Sequence, residues 1–175
     1  MNKDFKRLTF ADTFWGFVYG LVAPFLTIYF NNLGDISDVG ISVALFYLIL
    51  GFVSLLSAKM KSTDYKRIFL IAQIAEGIRI VGFIFANNIY WVYIIQLIGG
   101  VTAAFIRPAY SKIFVVAGDD EDDYAFRNRI GIMNIVMGIS ALIAGFLINI
   151  MGYQLMFLIW GIGEVLYGIY VYLKL

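Results

Sequence analysis

The sequence predicts an all-α membrane protein. It is read as a single domain, 1–175, of six transmembrane helices forming two inverted three-helix repeats. Three observations predict this. Hydrophobic residues make up 62% of the 175 and charged residues 14%, against roughly 45–50% and about 25% in soluble domains. Charges gather in short blocks between apolar stretches. At about 20 residues per crossing, the length holds about six spans. Finally, distinctive residues recur at a spacing of about half the chain: Pro24 with Pro108, and Glu76 with Glu164.

The charge blocks place the spans in order at about 8–30, 39–58, 68–86, 89–117, 130–150 and 153–173. Repeat one covers about 8–86 and repeat two about 89–173. The first span lacks the short apolar core and cleavage site of a removable signal peptide. Lys3, Lys6 and Arg7 precede span one, and Lys59, Lys61, Lys66 and Arg67 fill the second connection. Lys112, Arg127 and Arg129 flank the fourth connection, and Lys174 follows span six. The connections 31–38, 87–88 and 151–152 contain neither Lys nor Arg. Positive charge marks the cytoplasmic side, so both termini are expected there, in a plasma (inner) membrane.

Three spans are an odd number, so the second trio must enter the bilayer from the opposite side to the first. Paired inverted repeats are an architecture of membrane transporters, with sites near the midplane. Composition narrows the chemistry further. The absence of Cys and His removes thiolate nucleophiles, the usual general base and the commonest metal ligands. No catalytic residues, metal site or cofactor are expected, and no enzyme activity. A net charge of +1 gives no basis for nucleic-acid binding. The acidic run Asp119, Asp120, Glu121, Asp122 and Asp123 lacks the alternating ligands and central glycine of a calcium loop. It reads as a solvated, charge-paired connection that suits the amino-terminal end of span five.

Ionisable residues inside apolar spans cost at least about 2.5–3.5 kcal/mol on insertion scales. Asp12, Glu76, Arg79, Arg107 and Glu164 are the candidates. Glu76 and Arg79, three apart on one helix, suit a local ion pair. Arg107 shares a helical face with Gln96, Gly99, Gly100, Ala103, Tyr110 and Ser111. It suits either an anionic or hydroxyl group of a ligand, or an acidic partner within the chain. Asp12, about one turn into span one, reads either as an interfacial carboxylate or helix cap, or as a proton or cation coupling site. Trp15 and Tyr19, at mid-span, suit stacking on a ligand. The faces Gly40, Tyr47, Gly51, Ser54 and Ala58 of span two, and Gly131, Asn134, Gly138, Ala141, Gly145 and Asn149 of span five, suit close helix contact.

Three segments resemble the major facilitator superfamily. Tyr19-Gly20-Leu21-Val22-Ala23-Pro24-Phe25-Leu26-Thr27-Ile28-Tyr29 resembles its first helix. Gly99-Gly100-Val101-Thr102-Ala103-Ala104-Phe105-Ile106-Arg107-Pro108-Ala109 resembles its fourth. The acidic turn followed by Arg127-Asn128-Arg129-Ile130-Gly131 resembles the cytoplasmic approach to its fifth. Gln96 stands where the family usually has a fourth-helix arginine. Ser54 and Ala58 stand where the loop signature has glycine and aspartate.

The resemblance covers essentially the whole chain and implies a six-helix, amino-terminal-half-like unit of a secondary transporter. Helices one and four then line a central cavity, while two and five meet the other half. That other half is expected to be a second copy, giving a homodimer, or else a second six-helix half in a twelve-helix chain. The lipid bilayer and a small-molecule substrate complete the expected partners. Arg107, Tyr19, Gln96, Tyr110 and Trp15 are expected to bind substrate, and Asp12 and Glu76 to couple ions or protons. A non-transporting assembly or lipid-handling protein is the competing class.

Overall fold

Each long helix starts on an Asn or Asp that turns its side chain back onto orphan amides. The computed structural model describes residues 2–58, 64–119 and 121–175. Lys59, Lys61 and Asp120 from the charge blocks lie outside the described residues. Helix α1 (Lys3–Gly20) is capped by Asn2, which accepts from the Phe5 amide at 2.7 Å. After α2 (Leu26–Asn31), α3 (Ile36–Ser57) opens with a capping box between Asp35 and Asp38. Asp64 caps α4 (Tyr65–Gly82), Asn88 caps α5 (Ile89–Ala117) and Asp122 caps α6 (Asp123–Lys174). Such side chains satisfy donors that the first helical turn leaves unpaired. At Asp35, bonds from the Ser37 hydroxyl and from the Asp38 and Ser37 amides hold the carboxyl below its usual range.

All described regular elements are helical. Five helical segments are long and apolar enough to cross a membrane: α1 with α2, then α3, α4, α5 and α6. Large apolar side chains such as Leu48, Leu55, Leu142 and Ile150 are exposed on their flanks, as a lipid-facing surface requires. The chain is an integral, multi-pass membrane protein.

The two prolines act differently. Pro24 sits in a short 3-10 turn, Ala23–Phe25, that separates α1 from α2. Pro108 lies inside a continuous α5. Proline removes an amide donor and crowds the preceding turn. The matched spacing therefore does not give matched local backbone.

Helix α6 runs for 52 residues, which at 1.5 Å each is about 78 Å, more than twice a hydrocarbon core of about 30 Å. It does not run straight. Gly152 has φ 71° and ψ 170°, a backbone region open in practice to glycine alone. Contacts with α1 reveal a reversal there. Gly16 packs on Met133 and Gly20 on Met137 and Ser140, so the first arm of α6 runs parallel to α1. In the second arm Val18 meets Gly163, Trp15 meets Glu164, Asp12 meets Tyr167 and Phe10 meets Tyr170. That register is antiparallel, so the chain turns back at Gly152.

Small residues set the other crossings. A methyl added at Gly77 would stand 2.5 Å from the Gly161 carbonyl, and one at Gly100 would stand 2.6 Å from the Phe46 carbonyl. These contacts join α4 to the second arm of α6, and α5 to α3. In lipid, where apolar surface gains little from burial, close backbone approach of this kind drives helix association. Glycines on the expected span-two and span-five faces behave otherwise. Gly40, Gly51, Gly131 and Gly138 face open space.

Two apolar clusters form the interior. One contains Leu8, Phe69, Ile113 and Val171, and the other Val18, Ile80, Val92 and Phe157. Polar residues lie between them on four helices.

Alanine at Gly77 is expected to destabilise the solubilised chain by about 1–3 kcal/mol, the usual range for overpacking. Alanine at Gly40 should leave its thermal midpoint unchanged. Parallel thermal unfolding in detergent checks both.

Candidate functional site

A cavity of about 630 Å³ opens in the polar layer between the two apolar clusters. Asp12, Glu76, Arg79, Arg107, Arg129 and Glu164 all contribute to its wall. Aromatic rings from Trp15, Tyr19, Phe46, Tyr47 and Trp160 make up much of the rest. Every sequence-predicted site residue reaches it: Arg107, Tyr19, Gln96, Tyr110, Trp15, Asp12 and Glu76.

Asp12 is 2% exposed, so neither an interfacial carboxylate nor a helix cap describes it. Its Oδ2 accepts from Arg129 Nε at 2.7 Å and from the Tyr110 hydroxyl at 2.9 Å. Its Oδ1 accepts from the Tyr167 hydroxyl at 2.7 Å. Arg129 also donates to the Tyr110 oxygen and covers the Phe114 ring at 4.7 Å. Both charges are thus paired and hydrogen-bonded, which burial demands.

Arg129 is the main residue of this polar layer that sequence reasoning misses. Starting span five at Ile130 leaves it among the loop charges. Helix α6 begins about two turns earlier, at Asp123. The available signal is the Asp122 cap, which puts Arg129 well inside the helix.

The Glu76–Arg79 pair forms as expected. The carboxylate accepts from both Arg79 Nε, at 2.9 Å, and Nη2. Thr102 donates its hydroxyl to the same carboxylate, and Gln96 Oε1 accepts from Arg79 at 3.4 Å. The guanidinium lies over Gly99, where a methyl would stand 3.0 Å from it. Gly99 and Gly100, grouped with Arg107 by helical spacing, therefore serve packing. Gln96, Ala103, Arg107 and Tyr110 from that face line the cavity.

Glu164, a candidate to which the sequence assigns no role, is a buried cavity-wall carboxylate at 4% exposure. Its donors are neutral: Trp15 Nε1 at 3.0 and 3.1 Å and Trp160 Nε1 at 2.7 Å. Trp15 stacks on Tyr19 with ring centroids 4.8 Å apart, and Tyr19 meets Trp160 edge-on. The indole of Trp15 is thus already committed on one face and at its N–H. Arg107 differs from the other cavity arginines. It is exposed to the cavity, and among the described residues its side chain has no ion-pair partner.

The wall carries three acids and three arginines. Two of each cancel in local pairs, leaving Glu164 and Arg107 as separate poles. The acidic run serves the approach to α6: Asp122 caps it, accepting from the Ala125 amide at 2.9 Å, and Glu121 accepts from the Asn2 amide.

Replacing Arg129 with Met is expected to destabilise the protein by about 3–5 kcal/mol, because Asp12 is left buried without its cation. Asp12→Asn combined with Arg129→Met should cost less than the sum of the single changes. Chemical unfolding of the four proteins in detergent measures that coupling.

Comparison with known proteins agrees with this geometry. The chain matches the Major Facilitator Superfamily over residues 8–175. It is also 33% identical over 122 residues to the multi-drug resistance efflux pump PmrA of Streptococcus pneumoniae, in strains TIGR4 and R6 alike. The alignment covers 63% of this chain and 30% of the pump, so the chain spans about 30% of the length of these curated relatives. A family match of that extent, on a bundle with a charged central cavity, means that the chain belongs to the Major Facilitator Superfamily of membrane transporters and is not an enzyme.

Proposed function

We propose that this chain is one half of a secondary transporter, carrying a small drug-sized solute by alternating access in a cavity completed by a second copy of itself. The observation that carries this is the 630 Å³ cavity. Its polar wall is built by α1, α4, α5 and both arms of α6. The likeness to multi-drug efflux pumps supports an amphipathic solute.

In this reading the chain crosses the membrane six times, with both termini in the cytoplasm. Span one is α1 with α2, and the arms of α6 on either side of Gly152 are spans five and six. The basic and acid-rich connections then share one side. The inverted repeat is supported by contacts that map onto each other. Asp12 is offset from Gln96 as Pro24 is from Pro108, and Arg79 from Tyr167 as Glu76 is from Glu164. Asp12 bonds Tyr167, and Gln96 bonds Arg79. The proline offset also carries Gly16 onto Gly100 and Ile49 onto Met133. Gly16 packs on Met133, and Gly100 packs on Ile49.

The second copy would sit against α3 and the first arm of α6. Helix α3 buries only Val39, Ser42 and Leu50, and Gly40, Gly51, Gly131 and Gly138, which face open space, lie on these two helices. Arg107 is the expected substrate contact on the α5 wall, with Tyr19, Trp15, Gln96 and Tyr110 around it. Asp12 and Glu76 are the candidate coupling carboxylates, each acting by exchanging its present cation for a proton or a ligand charge. A second reading is the amino-terminal half of a twelve-helix transporter, favoured by the fraction of the relatives that the chain matches.

Assembly is tested by cysteines at Ser54 and Gly138 in a chain without native cysteine. Crosslinks between chains are expected, with a protein mass in solution twice that of the 19.8 kDa chain. A particle of single mass without crosslinks sinks the homodimer and favours the covalent alternative.

Transport is tested with Arg107→Gln in proteoliposomes loaded with fluorescein, an aromatic dye whose carboxylate a guanidinium can hold. The unpaired guanidinium makes little structural contribution, so expression and particle mass should hold while efflux falls at least about tenfold, the loss of one charged contact. Unimpaired efflux by this variant excludes Arg107 from the site.

A further inference from the structure

Gln73 is a buried amide whose carbonyl oxygen meets no hydrogen-bond donor among the described residues. It lies on α4 and is 3% exposed. Buried polar groups are nearly always bonded, so each exception needs a cause. Gln73 also belongs to the cavity wall.

Its neighbour across the helix interface is the second arm of α6. A methyl at Gly168 would stand 2.7 Å from Gln73 Cβ, and Gly77, one turn along α4, touches the Gly161 carbonyl. Glu164 lies between Gly161 and Gly168, so these two contacts bracket it. Gln73 therefore stands level with Gly168, one turn of α6 beyond Glu164, on closely packed antiparallel helices, and both residues border the same cavity. The Glu164 carboxylate is met by two indole N–H groups, which leaves acceptor capacity. The nearby Glu76 carboxylate is already occupied by Arg79 and Thr102.

We propose that Gln73 Oε1 and the Glu164 carboxylate form a subsite for the ammonium group of a protonated primary or secondary amine. The inference rests on the reading of this cavity as a solute site. Two oxygens in want of donors ask for a ligand that carries N–H bonds, and the carboxylate asks for positive charge. Trp15, Tyr19 and Trp160 supply aromatic faces that favour a cation beside them. A bare metal ion fits less well. Calcium takes six to eight oxygens, and no cluster of three acidic or metal-ligating side chains occurs among the described residues. A quaternary ammonium matches the charge but leaves Gln73 unbonded.

The test titrates the purified chain with three probes on one aromatic ring: phenethylamine, its N,N,N-trimethyl derivative and phenylacetate. Binding is read by calorimetry and by tryptophan fluorescence. Phenethylamine should bind about tenfold more tightly than the trimethyl compound, the contribution of one charge-assisted hydrogen bond, and phenylacetate should bind weakest. Gln73→Leu should bring the two cations level while keeping or raising the thermal midpoint, since it removes an unmet polar group. Glu164→Gln should weaken both cations about tenfold.

Equal binding of the two cations by the unaltered chain overturns the proposal. So does an amine preference that survives Gln73→Leu, strongest binding of phenylacetate, or no binding of any probe. A lowered midpoint in Gln73→Leu also overturns it, by exposing a structural partner. Fluorescein efflux is measured on the same proteins. Efflux without an amine preference removes the subsite and keeps the carrier, whereas the preference without efflux keeps the subsite and removes the carrier.

Discussion

One carboxylate ties the bundle together. Asp12 belongs to α1, and its donors come from α5 (Tyr110) and from both arms of α6 (Arg129 and Tyr167). Four helical segments therefore converge on two oxygen atoms at a depth where water is scarce. An apolar contact can slide a short way at little cost. A buried, bidentate and fully bonded charge cannot, because any displaced helix leaves a donor or the charge itself unmet. The rotation and depth of α1 against both arms follow from this constraint. The placements of Trp15 on Glu164 and of Tyr19 over Trp15 follow from those of α1.

The cavity is the counterpart of that constraint. Apolar clusters lie on either side of it, and between them the chain holds two acids and two arginines in paired form. Pairing makes such groups tolerable in a membrane and also makes them responsive. A ligand charge or a proton that reaches Asp12 or Glu76 competes with an arginine already in place, and the arginine then needs a new partner. Arg129 sits on a different helix from Asp12, so a change of partner there is also a change in how helices are held. Such exchange is a physical basis on which occupancy of the cavity can alter the bundle around it.

Much of this is readable without the structure. Hydropathy and charge blocks locate spans two, three and four to within a few residues of α3, α4 and α5, since lipid imposes its thickness on any chain that crosses it. Span four, 89–117, coincides with α5. The residues predicted for the site all reach the cavity, because helical spacing alone groups Gln96, Arg107 and Tyr110. What escapes is burial specific to tertiary contact. Arg129 looks like a loop charge because hydropathy ends a helix at the first cation, whereas the Asp122 cap starts it earlier. Glu164 looks peripheral because only Trp160 is a helical neighbour. Its other indole partner, Trp15, lies on α1 near the opposite end of the chain, and no local pattern joins the two. The prolines share a spacing but not a backbone, since only Pro24 is followed by a break into a new helix.

The reversal at Gly152 has a consequence for biogenesis. The two arms of α6 are joined by a single residue in positive-φ backbone, with no charged connection between them. A translocating chain normally must carry a polar loop across the hydrocarbon before the next segment can return. Here almost nothing polar has to cross. The arms can partition into the lipid together, as a preformed hairpin whose intramembrane acid, Glu164, is covered once Trp15 docks. On the six-span reading proposed above, the last third of the chain would enter the bilayer as one unit, and its tight turn, rather than a loop, would determine which surface of that unit meets α1.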